Sequence, residues 1–215
     1  LEETLPLVRL ALLLFTLMGP IGLIPAFDAA TSGRDAVDRR RIAVQVFVFS
    51  LIGLALAVFL GTAVMARVGT TPPSLIIAAG TILVITALRN ILASASGGIP
   101  SAAPPRPAPE ALPRWMPALS PITVPGLVTP VVVAVLVIFT TVFPATSSRL
   151  AILAVAGGLM VLNLAAMLGA RAFMHRIGMA PLLLLGAVFG VLQVALGIEF
   201  VADGMALAIL QRSGS

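Results

Sequence analysis

Residues 5–27, LPLVRLALLLFTLMGPIGLIPAF, decide how this chain is read. A helix needs about 20 apolar residues to cross the hydrocarbon of a bilayer, and this run carries a single charge, Arg9. Yet the run is interrupted from within. Met18-Gly19-Pro20-Ile21-Gly22-Leu23-Ile24-Pro25 holds two prolines and two glycines. Proline removes a backbone donor and its ring collides with the preceding turn, so the helix is expected to unwind here. Irregular backbone at membrane depth is tolerated only where it is buried in protein or lines a cavity.

The same apolar character recurs at 42–65, 74–92, 122–143, 150–170 and 179–201, with an apolar tail to Leu210. Hydrophobic residues make up 60% of the 215 positions and charged residues 10%, with a mean hydropathy of +1.15. A soluble domain carries roughly a quarter charged residues, so this chain has too little polar surface to face water on all sides. The reading is an all-α membrane protein of six spans.

Residues 94–117 hold seven prolines, among them Pro104, Pro105, Pro107 and Pro109, and read as an extended linker. The chain then divides into a first three-helix half, 1–93, the linker 94–117, and a second three-helix half, 118–215. Three spans per half means the halves insert with opposite topology, as in an inverted repeat. All 13 basic residues are arginines. Arg34, Arg39, Arg40, Arg41, Arg89, Arg106, Arg114, Arg171 and Arg176 fall on one side of the predicted spans, and Arg67, Arg149 and Arg212 on the other. The positive-inside rule then places the linker in the cytoplasm and both termini outside a plasma or inner membrane. The arginines are scattered between apolar runs, so the net charge of +5 suits orientation in lipid, and nucleic acid is not expected as a partner.

The fourth span opens Ser120-Pro121-Ile122-Thr123-Val124-Pro125-Gly126-Leu127-Val128-Thr129-Pro130, a second interruption at the corresponding place in the second half. Paired interruptions in two halves point to a transporter site. Unwound backbone frees N–H groups, carbonyls and half-helix dipoles, which suit a small zwitterion. The candidate binding residues are Gly19, Pro20, Gly22, Thr123, Thr129 and Pro130. Thr16 is a nearby hydroxyl; like Thr123 and Thr129 it is as readily explained by bonding back to its own helix. Glu199, late in the sixth span, is the candidate proton carrier, because an ionised acid at the bilayer centre costs roughly 3 kcal/mol and calls for a reason; an interfacial acid is the plain alternative. Asp203 lies nearer the end of that span. Asp28 could cap the next segment or close the site. Asn90 and Asn163, and with them Gln193, read as hydrogen-bond partners between helices. Rows of small residues at Gly53, Ala57, Gly61, at Ala165, Gly169 and at Gly186, Gly190 are expected to let helices pack closely.

With no cysteine, no lysine and His175 alone among histidines, the chain offers no metal-ligand cluster, phosphate loop or catalytic triad. No enzyme activity, cofactor or metal is expected. The partners are lipid and a small-molecule substrate, and a homo-oligomer is left open.

These residues also resemble a known family. Gly19-Pro20-Ile21-Gly22-Leu23-Ile24-Pro25-Ala26-Phe27 is similar to the N-P-I-G-x-x-P-x-F motif of MarC-type membrane proteins, followed by Arg40-Arg41-Ile42-Ala43 at a similar distance. Ala78-Ala79-Gly80 stands where that family has A-G-G. Pro121-Ile122-Thr123-Val124-Pro125 resembles its P-L-A-I-P, Thr129-Pro130-Val131 its G-P-G, and residues 198–204 its closing V-Q-F-I-L-D-G. The resemblance implies a small exporter of the LysE type, some members being described as transporters of alanine and glycine. The chain departs from the pattern at Gly19 (family asparagine), at Thr129 and Val131 (family glycines) and at Glu199 (family glutamine). The expectation is therefore alternating-access transport of small neutral amino acids or similar metabolites, coupled to protons or Na⁺. A channel-like exporter of another solute and a non-transporting scaffold are the alternatives.

Overall fold

A computed structural model describes residues 4–95 and 127–213. These residues form seven helices: α1 (Thr4–Met18), α2 (Pro20–Ala30), α3 (Ala36–Val68), α4 (Pro72–Ala95), α5 (Pro130–Val142), α6 (Thr146–Ile177) and α7 (Met179–Ser213). Among the described residues every regular element is helical. The predicted linker 94–117 lies outside them, apart from the end of α4.

Five stretches are long and apolar enough to cross a membrane, the first being α1 and α2 taken together. The fifth of the described helices, α5, has 13 residues. At 1.5 Å per residue it reaches only about 20 Å, short of the roughly 30 Å hydrocarbon core. Helix α5 by itself therefore does not reach across a bilayer. By contrast α3 and α6, at 33 and 32 residues, overshoot that thickness and carry their arginines on the overhangs.

Local chemistry sets the helix limits. Asp35 caps α3 by accepting the Asp38 N–H at 2.7 Å, and Gly69, at φ 74°, ends it with its N–H on the Met65 carbonyl. Only glycine enters that left-handed conformation without strain. Gly178 ends α6 with its N–H on the Met174 carbonyl, at φ 79°, ψ 179°, a different positive-φ conformation that glycine likewise favours.

The core gathers Leu10 and Leu14 of α1, Phe27 of α2, Val46 and Leu54 of α3, and Met160 and Met167 of α6. Helix α5 is buried on all sides: Val131, Val132, Ala134, Val135, Leu136 and Val137 are all hidden. A helix apolar all round belongs inside a bundle. The outward faces are just as apolar, with Leu12, Ile85, Leu184 and Val191 more than half exposed. That inversion of the soluble pattern is what lipid contact requires.

The closest helix pair is α4 with α7. A side-chain carbon on Gly80 would lie 2.5 Å from the Gly197 carbonyl oxygen, and one on Gly197 would lie 2.9 Å from the Gly80 carbonyl. Gly204 faces Ile77 and Pro73, and Gly190 faces Ile91. Numbers that rise along α7 fall along α4, so the two helices run antiparallel. Of the small-residue rows expected from sequence, Gly61 does pack on Val137 of α5, Gly53 on Val128 just before α5, and Gly190 on α4. Gly169 and Gly186 meet nothing within 4 Å. The tight seam is instead Gly190, Gly197 and Gly204, seven residues apart.

A spacing of 110 positions relates the two halves of the chain. Pro20 opens α2 and Pro130 opens α5. Asp35 precedes α3 and Ala145 precedes α6. Thr31 bonds back to Phe27 and Thr141 to Val137. Gly80 packs on Val201 and Gly190 on Ile91.

Candidate functional site

The first interruption sits where the sequence places it. Helix α1 stops at Met18, Gly19 is extended at φ −63°, ψ 154°, and Pro20 begins α2. A side-chain carbon on Gly19 would collide with the Phe15 carbonyl oxygen, so the turn depends on glycine. Pro20 has no N–H, which leaves the Thr16 carbonyl without its usual donor four residues on. Gln193 of α7 supplies one, its Nε2 donating to the Thr16 oxygen at 2.7 Å. Beyond it, Asn163 of α6 donates Nδ2 to the Met18 oxygen at 2.8 Å. Two helices remote in sequence thus close carbonyls that the break sets free.

The second interruption is built alike. Thr129 is extended at φ −78°, ψ 152°, and Pro130 begins α5. The Thr129 hydroxyl oxygen accepts the Val132 N–H at 3.2 Å and caps the helix. Here the neighbouring helix presents no amide. Gly53 of α3 abuts Val128, standing 110 positions before Asn163 just as Val128 stands 110 after Met18. The flanks of the two breaks meet. Leu127 shares a buried cluster with Leu14 and Met18, and Leu17 packs against the cluster holding Val131 and Ala134. The starts of α2 and α5, each with the positive pole of its helix dipole, thus lie near one another, but Pro130 and Gly22 in their first turns are exposed rather than enclosed.

Polar groups are scarce in this interior. Asn163 is 1% exposed and Ser50 of α3 is fully buried. The Asn163 Oδ1 and the Ser50 Oγ find no hydrogen-bond partner among the described residues, and neither does Oε1 of half-buried Gln45. A bundle of broken apolar helices with so few polar side chains fits the all-α membrane protein read from the sequence, and comparison with known proteins decides its family. A family model described as MarC family integral membrane protein matches residues 5–209. The chain belongs to the MarC family.

The MarC match covers almost the whole described structure. Inner membrane protein YhgN of Escherichia coli strain K12 is 28% identical over 102 residues, covering 46% of this chain and 52% of YhgN. YhgN of Escherichia coli O157:H7 and of Shigella flexneri matches to the same extent. The match thus spans about half the length of these curated relatives. No solved structure matches.

In this MarC protein the remaining sequence candidates disperse. Gly22 is exposed, with open space around it. The Thr16 hydroxyl donates to the Leu12 carbonyl at 2.9 Å, the local bond expected of a helical threonine. Asp28 pairs with Arg39 at 3.0 Å, and that guanidinium lies 5.9 Å from the centre of the Phe27 ring, so Asp28 fastens α2 to the start of α3. Asn90 is half-buried near the end of α4. Glu199 and Asp203 are both exposed on α7. Glu199 follows Gly197, which packs on α4, by two residues and so points about 200° away from it. Thr123 lies outside the described residues. Asn163 and Gln193 do bridge helices, as their residue types suggested. What sequence reasoning missed is that their partners are the carbonyls freed at Pro20.

Proposed function

We propose that this MarC protein is a multi-pass inner-membrane carrier of small neutral amino acids or similar metabolites, working by alternating access between two inverted halves. The observation that carries the reading is the pair of matched breaks, Gly19-Pro20 and Thr129-Pro130, each an extended residue followed by a proline that opens a new helix. The 110-residue correspondence and the antiparallel course of α4 and α7 support the inverted arrangement, because helices related by an axis in the membrane plane run in opposite directions. The inner-membrane setting rests on the relatives named above.

The chemistry follows from the freed backbone. Apart from the Val132 N–H, which the Thr129 hydroxyl already holds, the first-turn N–H groups of α2 and α5 lack an intrahelical acceptor and attract a carboxylate. Gly19, Pro20, Thr129 and Pro130 form the described part of this proposed site; Gly22 faces open space, and Thr123 lies outside the described residues. Rocking of one half against the other would expose the breaks alternately to each side. Coupling to protons or Na⁺ belongs to the same reading. Glu199 enters as proton carrier only if its outward face is covered during transport, so Glu199→Gln is expected to leave flux and its pH dependence in place. Loss of the pH dependence would return Glu199 to the proton path.

The deciding experiment is counterflow in proteoliposomes loaded with one of a panel of amino acids. Accelerated uptake of labelled alanine or glycine is the expected result. Uptake no faster than in protein-free liposomes, across the whole panel, would reject the carrier reading.

A further inference from the structure

We propose that Asn163 receives the ammonium group of the transported amino acid at the α1–α2 break, with the Ser50 hydroxyl as a second acceptor beside the other break. This rests on the carrier reading and supplies the half of the ligand that helix N-termini cannot bind. Helix starts offer donors, which suit a carboxylate; an ammonium needs oxygens.

The orientation of Asn163 follows from chemistry. A backbone carbonyl only accepts, so the amide nitrogen must face Met18 and Oδ1 must face the other way. That oxygen is buried and unpartnered among the described residues. Buried acceptors are nearly always satisfied, and an unsatisfied one calls for an explanation. Capping Met18 accounts for the nitrogen and leaves the oxygen unexplained.

Ser50 repeats the pattern at the second break. It lies three positions before Gly53, which packs on Val128, so it stands one helical turn from the Val128-Thr129-Pro130 corner. Buried helical hydroxyls ordinarily bond back to their own helix, as Thr140 does to Leu136 and Val137. Ser50 does not, although it is fully buried. Each break thus has an unpartnered oxygen buried on the long helix packed beside it, and α3 carries a further one, Gln45 Oε1, five positions before Ser50.

The test measures labelled alanine uptake in proteoliposomes for the wild-type chain, Ser50→Ala, Asn163→Leu and Gln193→Leu, with glycine and its N-trimethylated form betaine as competitors. Ser50→Ala removes an unpaired hydroxyl, so it folds at least as well as wild type and reports on the ligand alone. Gln193→Leu removes a comparable carbonyl cap and controls for structural damage. A charge-assisted hydrogen bond lost from a buried site corresponds to about tenfold or more in affinity. The expected result is a KM raised about tenfold or more in Asn163→Leu and severalfold in Ser50→Ala, beyond any change in Gln193→Leu. Wild type should prefer glycine to betaine, and Asn163→Leu should lose that preference.

If Asn163→Leu behaves like Gln193→Leu and still rejects betaine, the assignment falls while the carrier stands. If the variants instead change the Na⁺ requirement, measured by replacing Na⁺ with K⁺, the oxygens serve an alkali cation and the ammonium assignment is wrong. If wild type moves no amino acid, the carrier reading itself fails and takes this inference with it.

Discussion

Asn163 and Met18 lie 145 residues apart in the chain and are joined by a 2.8 Å hydrogen bond from the asparagine amide to the methionine carbonyl. The bond exists because α1 ends at Met18 and leaves its last carbonyls without partners. It ties the break in the first half to a helix of the second.

Removing either carbonyl cap should cost stability. Interhelical hydrogen bonds in membrane proteins average about 0.6 kcal/mol and reach about 1.7. Gln193→Leu should sit toward the upper value, because Pro20 leaves the Thr16 carbonyl no donor of its own. Asn163→Leu should cost less than its bond alone suggests, since it also removes the unpaired Oδ1. Unfolding of both variants in detergent, followed by circular dichroism, gives the order; a larger loss for Asn163→Leu would contradict it.

Gly19→Ala is expected to be more damaging than its size implies. The added carbon runs into the Phe15 carbonyl oxygen, and backbone rather than a flexible side chain would have to yield. Alanine at Gly22, where nothing lies within 4 Å, should be tolerated and serves as the control. A melting temperature lowered by several degrees for Gly19→Ala, against little change for Gly22→Ala, is the expected contrast, a loss of about 1–3 kcal/mol. Equal melting of the two variants would show that the corner does not need glycine.

How much of this was legible follows from where the causes lie. The break at Pro20 and the start of α5 at Pro130 were readable because the cause is local: proline lacks a donor. The end of α3 depends likewise on one glycine, Gly69. Asn163 and Gln193 could be seen to want partners, yet their partners are carbonyls on another helix, which no pattern within α6 or α7 reveals. The glycine seam was missed for a different reason. A four-residue spacing does not capture it, because Gly190, Gly197 and Gly204 repeat every seven, the period that keeps one face along two turns. Glu199 shows a further limit. Its presence in an apolar span is evident from sequence, but the direction it faces is set by Gly197 lying against Gly80.

That seam gives a third prediction. With the Gly197 position 2.9 Å from the Gly80 carbonyl and 3.0 Å from the Val84 nitrogen, alanine there must push two backbones apart. Gly197→Ala should destabilise the protein by about 1–3 kcal/mol, as overpacking does. Gly186→Ala, on the same helix but in open space, should be neutral or slightly stabilising, because alanine favours helix over glycine by up to about 1 kcal/mol. The opposite signs are the point of the comparison, and thermal unfolding of the two variants reads them directly.

The inverted arrangement makes a topological prediction that the absence of cysteine renders clean to test. The segment between α2 and α3 and the segment between α5 and α6 correspond at 110 positions, so an inverted pair must place them on opposite sides of the membrane, whereas a parallel pair would place them together. The positive-inside rule gives the expected sides: Arg34, Arg39, Arg40 and Arg41 follow α2, while Arg149 alone lies between α5 and the body of α6. Single cysteines at Ser32 and Ala145 should therefore differ toward a membrane-impermeant maleimide added to intact cells. Ala145→Cys should be labelled, and Ser32→Cys only after the membrane is opened. Thr70→Cys, at the far end of α3, should behave like Ala145→Cys, and His175→Cys, at the far end of α6, like Ser32→Cys. Labelling of positions 32 and 145 from the same side would rule out the inverted repeat, and with it the pairing of the two breaks across a central axis.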